Sequence, residues 1–226
     1  MYMYWDRFQF WQSSALSGIG MISSMFLFLV LEPTVSQAVT SQFSIRQQVQ
    51  SEISFTLNAA NVTMAGALLG ITGGSATGSV SVAVLTNSTT GYTMDVSFQN
   101  SPAMIGEVTN STAIRNYGSS TEPTYLFFGS TSAQFAYTVQ ASSSSDLDPS
   151  FLNNGSACNT GTTMAANTCW MGASTTNFRI INRNTAAATT TATTTLLFKV
   201  QIPSNPNPVV ISDFYTATAT LTAVTQ

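Results

Sequence analysis

An all-β chain is predicted: a β-sandwich, Ig-like or jelly-roll-like, preceded by an N-terminal signal or anchor helix. Three features carry that expectation. Apolar and polar residues alternate with period two in at least six separate runs after residue 38. Threonine accounts for 33 of the residues beyond Ala38, and its branched Cβ suits pleated strands and weakens helices. The only long apolar run is at the start, Ala15 to Leu31, 17 residues without a charge.

The strands follow in chain order. Phe43, Ile45 and Val49 form one face of a first strand, with Ser44 and Arg46 on the other. Ile53, Phe55 and Leu57 alternate with Ser54 and Thr56; Val80, Val82 and Val84 alternate with Ser81 and Ala83. Tyr92, Met94, Val96 and Phe98 alternate with Thr93, Asp95 and Ser97, and Leu196, Phe198, Val200 and Ile202 alternate with Leu197, Lys199 and Gln201. A final strand runs from Phe214 to Ala223 with threonines on one face. The stretch Thr86–Tyr92 reads as a hairpin turn with Gly91 at positive φ. The segment Pro203–Pro208 reads as a stiff extended connector, because proline lacks the amide a central strand needs. Short helices of no more than about two turns are possible near Ala65–Leu69 and Pro102–Ile105.

Residues 1–38 read as a signal peptide. Ser36 and Ala38 place small side chains at the positions a signal peptidase reads, so cleavage is expected after Ala38. The competing form is a retained anchor, since 17 to 18 apolar residues sit at the lower limit for crossing a bilayer. The chain touches a membrane only through this segment, and the mature part, 39–226, is expected to be secreted or held at the cell surface as one β-sandwich domain. Its loop-rich middle, about 101–190, reads as an insertion or lobe on that sandwich. Cys158 and Cys169 are the only cysteines, and an even pair in an exported chain reads as one disulfide. Trp170, directly after Cys169, is expected to pack over the disulfide or cap a core edge.

Composition excludes several functions. Six Lys+Arg against nine Asp+Glu cannot neutralise a phosphate backbone, so no nucleic acid is expected as partner. The absence of histidine removes a Ser-His-Asp triad, a His-ligated zinc and a histidine general base. Asp146 and Asp148 could hold calcium, but two carboxylates without a glycine bend or a following glutamate are short of ligands, and a solvated Asp-Pro turn is the plainer reading. Lys199, the sole lysine, reads as an outward strand residue. Tyr117, Tyr125, Phe127 and Phe128 read as core, with a sugar-stacking platform as the other possibility. Asn61, Asn87, Asn110 and Asn154 match the N-glycosylation pattern, which chance supplies in so Asn/Ser/Thr-rich a chain. No catalytic residue, metal site or cofactor is expected.

Two segments resemble a known family. The closing Tyr215–Ala223, after a proline-containing connector and Leu196–Ile202, is similar to the end of WxL-type bacterial surface domains, as is the "strand, Thr-Asn, Gly-Tyr-Thr strand" pattern of Gly78–Met94, also seen in secreted proteins of candidate-phylum bacteria. Thr220-Leu-Thr222 stands where those domains have Trp-x-Leu. The resemblance implies a secreted, envelope-associated, non-catalytic sandwich.

Only 7% of residues are charged, against about 25% usually. A Thr/Ser/Asn surface repels its own copies weakly and lacks the edge lysines that keep strands of different molecules apart. The expected function is therefore a self-assembling envelope or filament subunit with Val39–Gln50 and Tyr215–Gln226 as candidate edges. A monomeric adhesin or cell-wall glycan-binding module is the alternative.

Overall fold

The computed structural model describes residues 42–109 and 111–226, and they are almost all β. The expected signal or anchor helix, the cleavage site at Ala38 and the sequon at Asn110 lie outside the described residues. Twelve strands follow one another: β1 (Ile53–Leu57), β2 (Leu68–Leu69), β3 (Gly73–Thr86), β4 (Tyr92–Phe98), β5 (Met104–Gly106), β6 (Ala113–Asn116), β7 (Gln134–Ala141), β8 (Met171–Gly172), β9 (Phe178–Arg183), β10 (Ala187–Ile202), β11 (Tyr215–Thr216) and β12 (Ala219–Thr225). Single 3-10 turns lie at Ser144–Asp146 and Pro149–Phe151.

The strands form two sheets of unequal size. The larger has the order β1-β3-β10-β7-β6-β5-β11, with β2 on β3 and β8 on β7; the smaller is β12-β4-β9. The smaller is antiparallel throughout, whereas β6 and β7 run parallel in the larger. The long pair β3 and β10 is the spine, in register from Ala192↔Val84 to Ile202↔Gly74, with an irregularity between Ala187 and Ala192. The loop-rich middle supplies β5 to β9, of which β7 pairs with β10 and β9 with β4.

Period-two alternation sets the buried faces. On β4 the inward residues Tyr92, Met94, Val96 and Phe98 are all buried, while their neighbours are half-exposed. Val80, Val82 and Val84 of β3 and Leu196, Phe198, Val200 and Ile202 of β10 are buried in the same cluster. Aromatic rings join the sheets: Phe98 of β4 meets Phe135 edge-on at 5.8 Å and Tyr137 at 5.5 Å, both on β7. Tyr137 continues to Phe151 at 6.1 Å, and Phe151 to Phe178 of β9 at 6.0 Å. Rings at these distances add about 0.5–1.5 kcal/mol per pair beyond the area they bury.

Five local expectations are corrected. Residues 42–52 contain no strand, and Phe43, Ile45 and Val49 are exposed. The turn at Thr86–Tyr92 does not close a hairpin, because β3 and β4 belong to different sheets. It is an arch: both strands bury one face, but against each other's sheet, and alternation reports burial without reporting the pairing partner. Gly91 does sit at φ +82°, and a Cβ there would lie 2.1 Å from the Arg183 carbonyl. The final strand is split. Tyr215–Thr216 pairs with β5 in the larger sheet, and the chain then crosses to pair Ala219–Thr225 with β4 in the smaller. Neither short helix forms: Leu68–Leu69 and Met104–Gly106 are strands. Glycines on both sides of the first, Gly66 at φ +130° and Gly70 where a Cβ would meet the Val210 carbonyl at 2.3 Å, suit backbone packed against backbone. The proline connector is bent rather than straight, with Asn205 at φ +51°. Its amides are used: Asn205 donates to the Ile71 carbonyl at 2.7 Å and Asn207 to that of Thr131 at 2.8 Å.

The Tyr92 hydroxyl is buried without a hydrogen-bond partner among the described residues. Burial, with the nearby Asp146 carboxylate, pushes its pKa up to about 12. A buried hydroxyl left unpaired costs about 1–3 kcal/mol. Tyr92→Phe should therefore raise the unfolding free energy by up to about 1 kcal/mol in urea titrations, even though most core substitutions lower it.

Candidate functional site: a cleft beside an open strand edge

The unequal sheets leave one region of the core incompletely covered. Opposite β1 and β3 the smaller sheet ends at β12, whose second edge has no hydrogen-bonded strand among the described residues. The inward residues of β12, Leu221 and Ala223, are only half-buried, in contrast to the fully buried row on β4 next to them. Phe55 and Leu57 of β1 are 42% and 41% exposed, although they are the apolar side of an alternating strand. Phe55, Leu57 and Leu221 line a cleft of about 1400 Å³. Its floor includes Val80, Leu196, Phe198 and Val200; the segments 59–71 and 210–217 form its walls.

One wall is pinned by a carboxylate. Asp213 accepts hydrogen bonds from the Thr109 amide (3.1 Å), the Thr109 hydroxyl (2.9 Å), the Val108 amide (3.2 Å) and the Phe214 amide (2.7 Å). Glu107 accepts from the Thr216 hydroxyl beside it. Desolvation pushes Asp213 upward, but the hydrogen bonds from Thr109, Val108 and Phe214 outweigh it and hold the carboxyl below its usual range.

The edge strand itself carries no protection. Ala219–Thr225 contains no lysine, no proline and no charge, and those are the devices that keep edge strands from pairing with other chains. At its far end the strand is anchored: the Gln226 amide donates to the Gly91 carbonyl at 3.1 Å, and the Gln226 side chain to Asn182 Oδ1 at 2.7 Å.

The other residues singled out by the sequence fall elsewhere. Cys158 and Cys169 lie with their sulfurs at bonding distance and their Cα atoms 5.7 Å apart. Cys169 is fully buried in the core and Cys158 is half-buried. Asp146 and Asp148 do not converge. Asp146 is buried and pairs with Arg183 at 2.5 Å, while Asp148 caps the Pro149–Phe151 turn by accepting from the Ser150 amide at 3.0 Å. Among the described residues no three acidic or sulfur ligands gather into a metal-binding group. Tyr117, Phe127, Trp170 and Lys199 come together on the outer face of the larger sheet. Tyr117 stacks on Phe127 at 4.5 Å, Phe127 meets Trp170 edge-on at 5.7 Å, and Lys199 Nζ lies 4.3 Å from the Phe127 ring centre. Partial burial pushes the Lys199 amine below its usual pKa. Tyr117 and Trp170 are buried here, Tyr125 is half-buried and Phe128 is exposed. The cluster caps the sheet, and its rings pack against one another and the lysine.

Asn61, Asn87 and Asn154 are exposed. Asn87 works as a staple: its Oδ1 accepts from the Glu52 amide at 2.7 Å, and its Nδ2 donates to the Gln50 carbonyl at 3.0 Å. Asn154 caps its own turn, accepting from the Ser156 and Ala157 amides. The cleft went unread in the sequence, because no residue in it has distinctive chemistry. The one available signal was the apolar face of Ile53–Leu57, which matched a strand without saying what covers it.

Protein-family models, curated proteins and solved structures give no match to this chain.

Two expectations follow. Breaking Cys158–Cys169 removes a constraint on a short loop and should cost about 2–3 kcal/mol, read as the difference in urea unfolding between oxidised and reduced chains. The Asp213 clamp is a depressed carboxylate, so its contribution is present above the ordinary value near about 3.9 and is lost as pH falls through the lowered one. Amide hydrogen exchange at Val108, Thr109 and Phe214 should accelerate over that acid range, and Asp213→Asn should remove the pH dependence.

Proposed function

We propose that the chain is a secreted, non-catalytic cell-surface structural protein, a self-assembling subunit of an envelope layer or filament, built as a β-sandwich. The observation that carries this reading is β12: a strand edge with no hydrogen-bonded neighbour among the described residues, free of charge and proline, over a core left half-covered. Such an edge offers a row of unpaired amides and carbonyls to another chain. The sparse charge of the whole chain supports it, since little repulsion opposes close contact between copies. A disulfide fits an extracytoplasmic location. The cleft holds apolar walls and two carboxylates, Asp213 held by amide and hydroxyl donors and Glu107 accepting from the Thr216 hydroxyl.

Negative-stain microscopy and light scattering of the secreted chain test this. Extended or layered particles many times the 24.0 kDa chain mass are expected. A monodisperse monomer that co-sediments with cell-wall polysaccharide would replace this reading with that of a glycan-binding module.

A further inference from the structure

We infer that the cleft binds an amphiphile with one long hydrocarbon chain and an uncharged or cationic head. The hydrocarbon would lie between the sheets, with the head at the mouth beside Glu107 and Asp213. The inference does not depend on how copies of the protein associate.

The cleft is a gap between two sheets, not a face of one. Phe98 and Leu221 line it from the smaller sheet, and Phe135, Leu196, Phe198 and Val200 from the larger. Phe98, Phe135 and Val200 are at most 4% exposed, so the gap reaches core side chains. β1 and β12 approach one another, and the cleft meets β12 only at Ala219–Leu221. The opening is therefore a slot between the sheets, shorter than the strand edge. Along β10 it runs from Leu196 to Ile202, about 20 Å of strand, the reach of an extended long-chain alkyl group.

Both walls are braced, so the slot is preformed. The Ala65 amide donates to the Thr77 carbonyl at 2.7 Å, and the Ala65 carbonyl accepts from the Thr77 amide at 2.9 Å. Val62 and Met64 pack over Gly78, where a Cβ would lie 2.7 Å from Val62 Cγ1. The opposite wall is held by the hydrogen bonds on Asp213. Walls tied to the sheets in this way resist collapse onto the floor. Apolar area left in water then favours an apolar guest. Leu69, Ile71, Ile211 and Phe214 are exposed along the rim, an entry path for hydrocarbon.

Charge at the mouth selects the head. Glu107 and Asp213 are the only charged residues among those lining the cleft. The ion pairs among the described residues join Arg179 to Asp95 and Arg183 to Asp146, away from both carboxylates. The hydrogen bonds on Asp213 favour its ionised form and leave its charge in place. A carboxylate or phosphate head would meet like charge there. An ammonium would meet its complement, and a hydroxyl head would find hydrogen-bonding groups in the exposed Thr216 and Thr220.

The test titrates the full secreted chain with N-phenyl-1-naphthylamine, an uncharged dye that brightens in apolar surroundings. One dye per chain should bind. Dodecylamine and dodecanol, below the concentrations at which they aggregate, should displace it. Dodecanoate should do so about tenfold more weakly, the scale of repulsion from partly screened charges, and added salt should narrow that gap. Glu107→Lys, at an exposed position, should bring dodecanoate level with dodecylamine and leave dodecanol unchanged. Leu57→Trp and Leu221→Trp fill the slot from opposite sheets, and each should weaken dye binding about tenfold, with urea unfolding of both variants to show that they fold. Absence of dye brightening, or unchanged dye affinity in both tryptophan variants, would overturn the site. Equal displacement by dodecylamine and dodecanoate at low salt would overturn the assignment of its head.

Discussion

The packing of one strand, β4, against the larger sheet is the constraint on which the rest depends. Its four inward side chains, Tyr92, Met94, Val96 and Phe98, are buried to within a few per cent. They meet β3, β7 and β10 from the other side of the core. β4 is the centre of only three strands. Its two neighbours must therefore cover everything the seven-strand path opposite exposes. On the β9 side they succeed, because the turn at Pro149–Phe151 brings Phe151 between Tyr137 and Phe178. On the β12 side nothing comparable is present among the described residues, and the cleft is the result. A missing neighbour is costly because apolar area left in water forfeits about 25 cal/mol per Å².

The sequence disclosed faces far better than partners. Every alternating run from Val80 to Ile202 buries the side that its pattern indicated, because a strand with one wet face must place apolar residues at every second position. Partners depend on which sheet a strand joins, and period two is the same in both. That is why Thr86–Tyr92 reads as a hairpin yet serves as an arch, and why Tyr215–Ala223 reads as one strand yet serves two sheets. The Lys199 and aromatic group was legible only in part. Lys199 stands outward as its place in β10 requires, but Phe127 and Trp170 are 43 residues apart in sequence and meet only through tertiary structure. Asp213 shows the converse limit. Nothing near it in sequence marks it as special, since apart from the adjacent Phe214 amide its donors belong to Val108 and Thr109, about a hundred residues earlier.

Polar chemistry in this chain holds backbone in place. Asp213 joins the turn after β5 to the approach to β11, Asn87 fixes the entry to β1, and Asp146 with Arg183 ties a loop after β7 to the end of β9. With few charges available, each of these sits at a join between segments distant in sequence. Lysines that would discourage strand pairing are absent from β12, and the one lysine in the chain lies over Phe127 on the opposite sheet's outer face. Charge has been placed for internal anchoring and none for edge defence.

Edge defence is dispensable only if the edge is satisfied some other way. A soluble monomer with an uncharged seven-residue edge and a half-covered core would pair indiscriminately, and natural sheets avoid that state by lysine, proline, bulges or covering loops. Among the described residues β12 has none of these, yet its far end is held by Gln226 against the Gly91 turn, and its near wall by Asp213. A strand that was merely frayed would not be pinned at both ends. Pinning fixes the edge as a straight, pre-formed template, which lowers the ordering cost for whatever pairs with it.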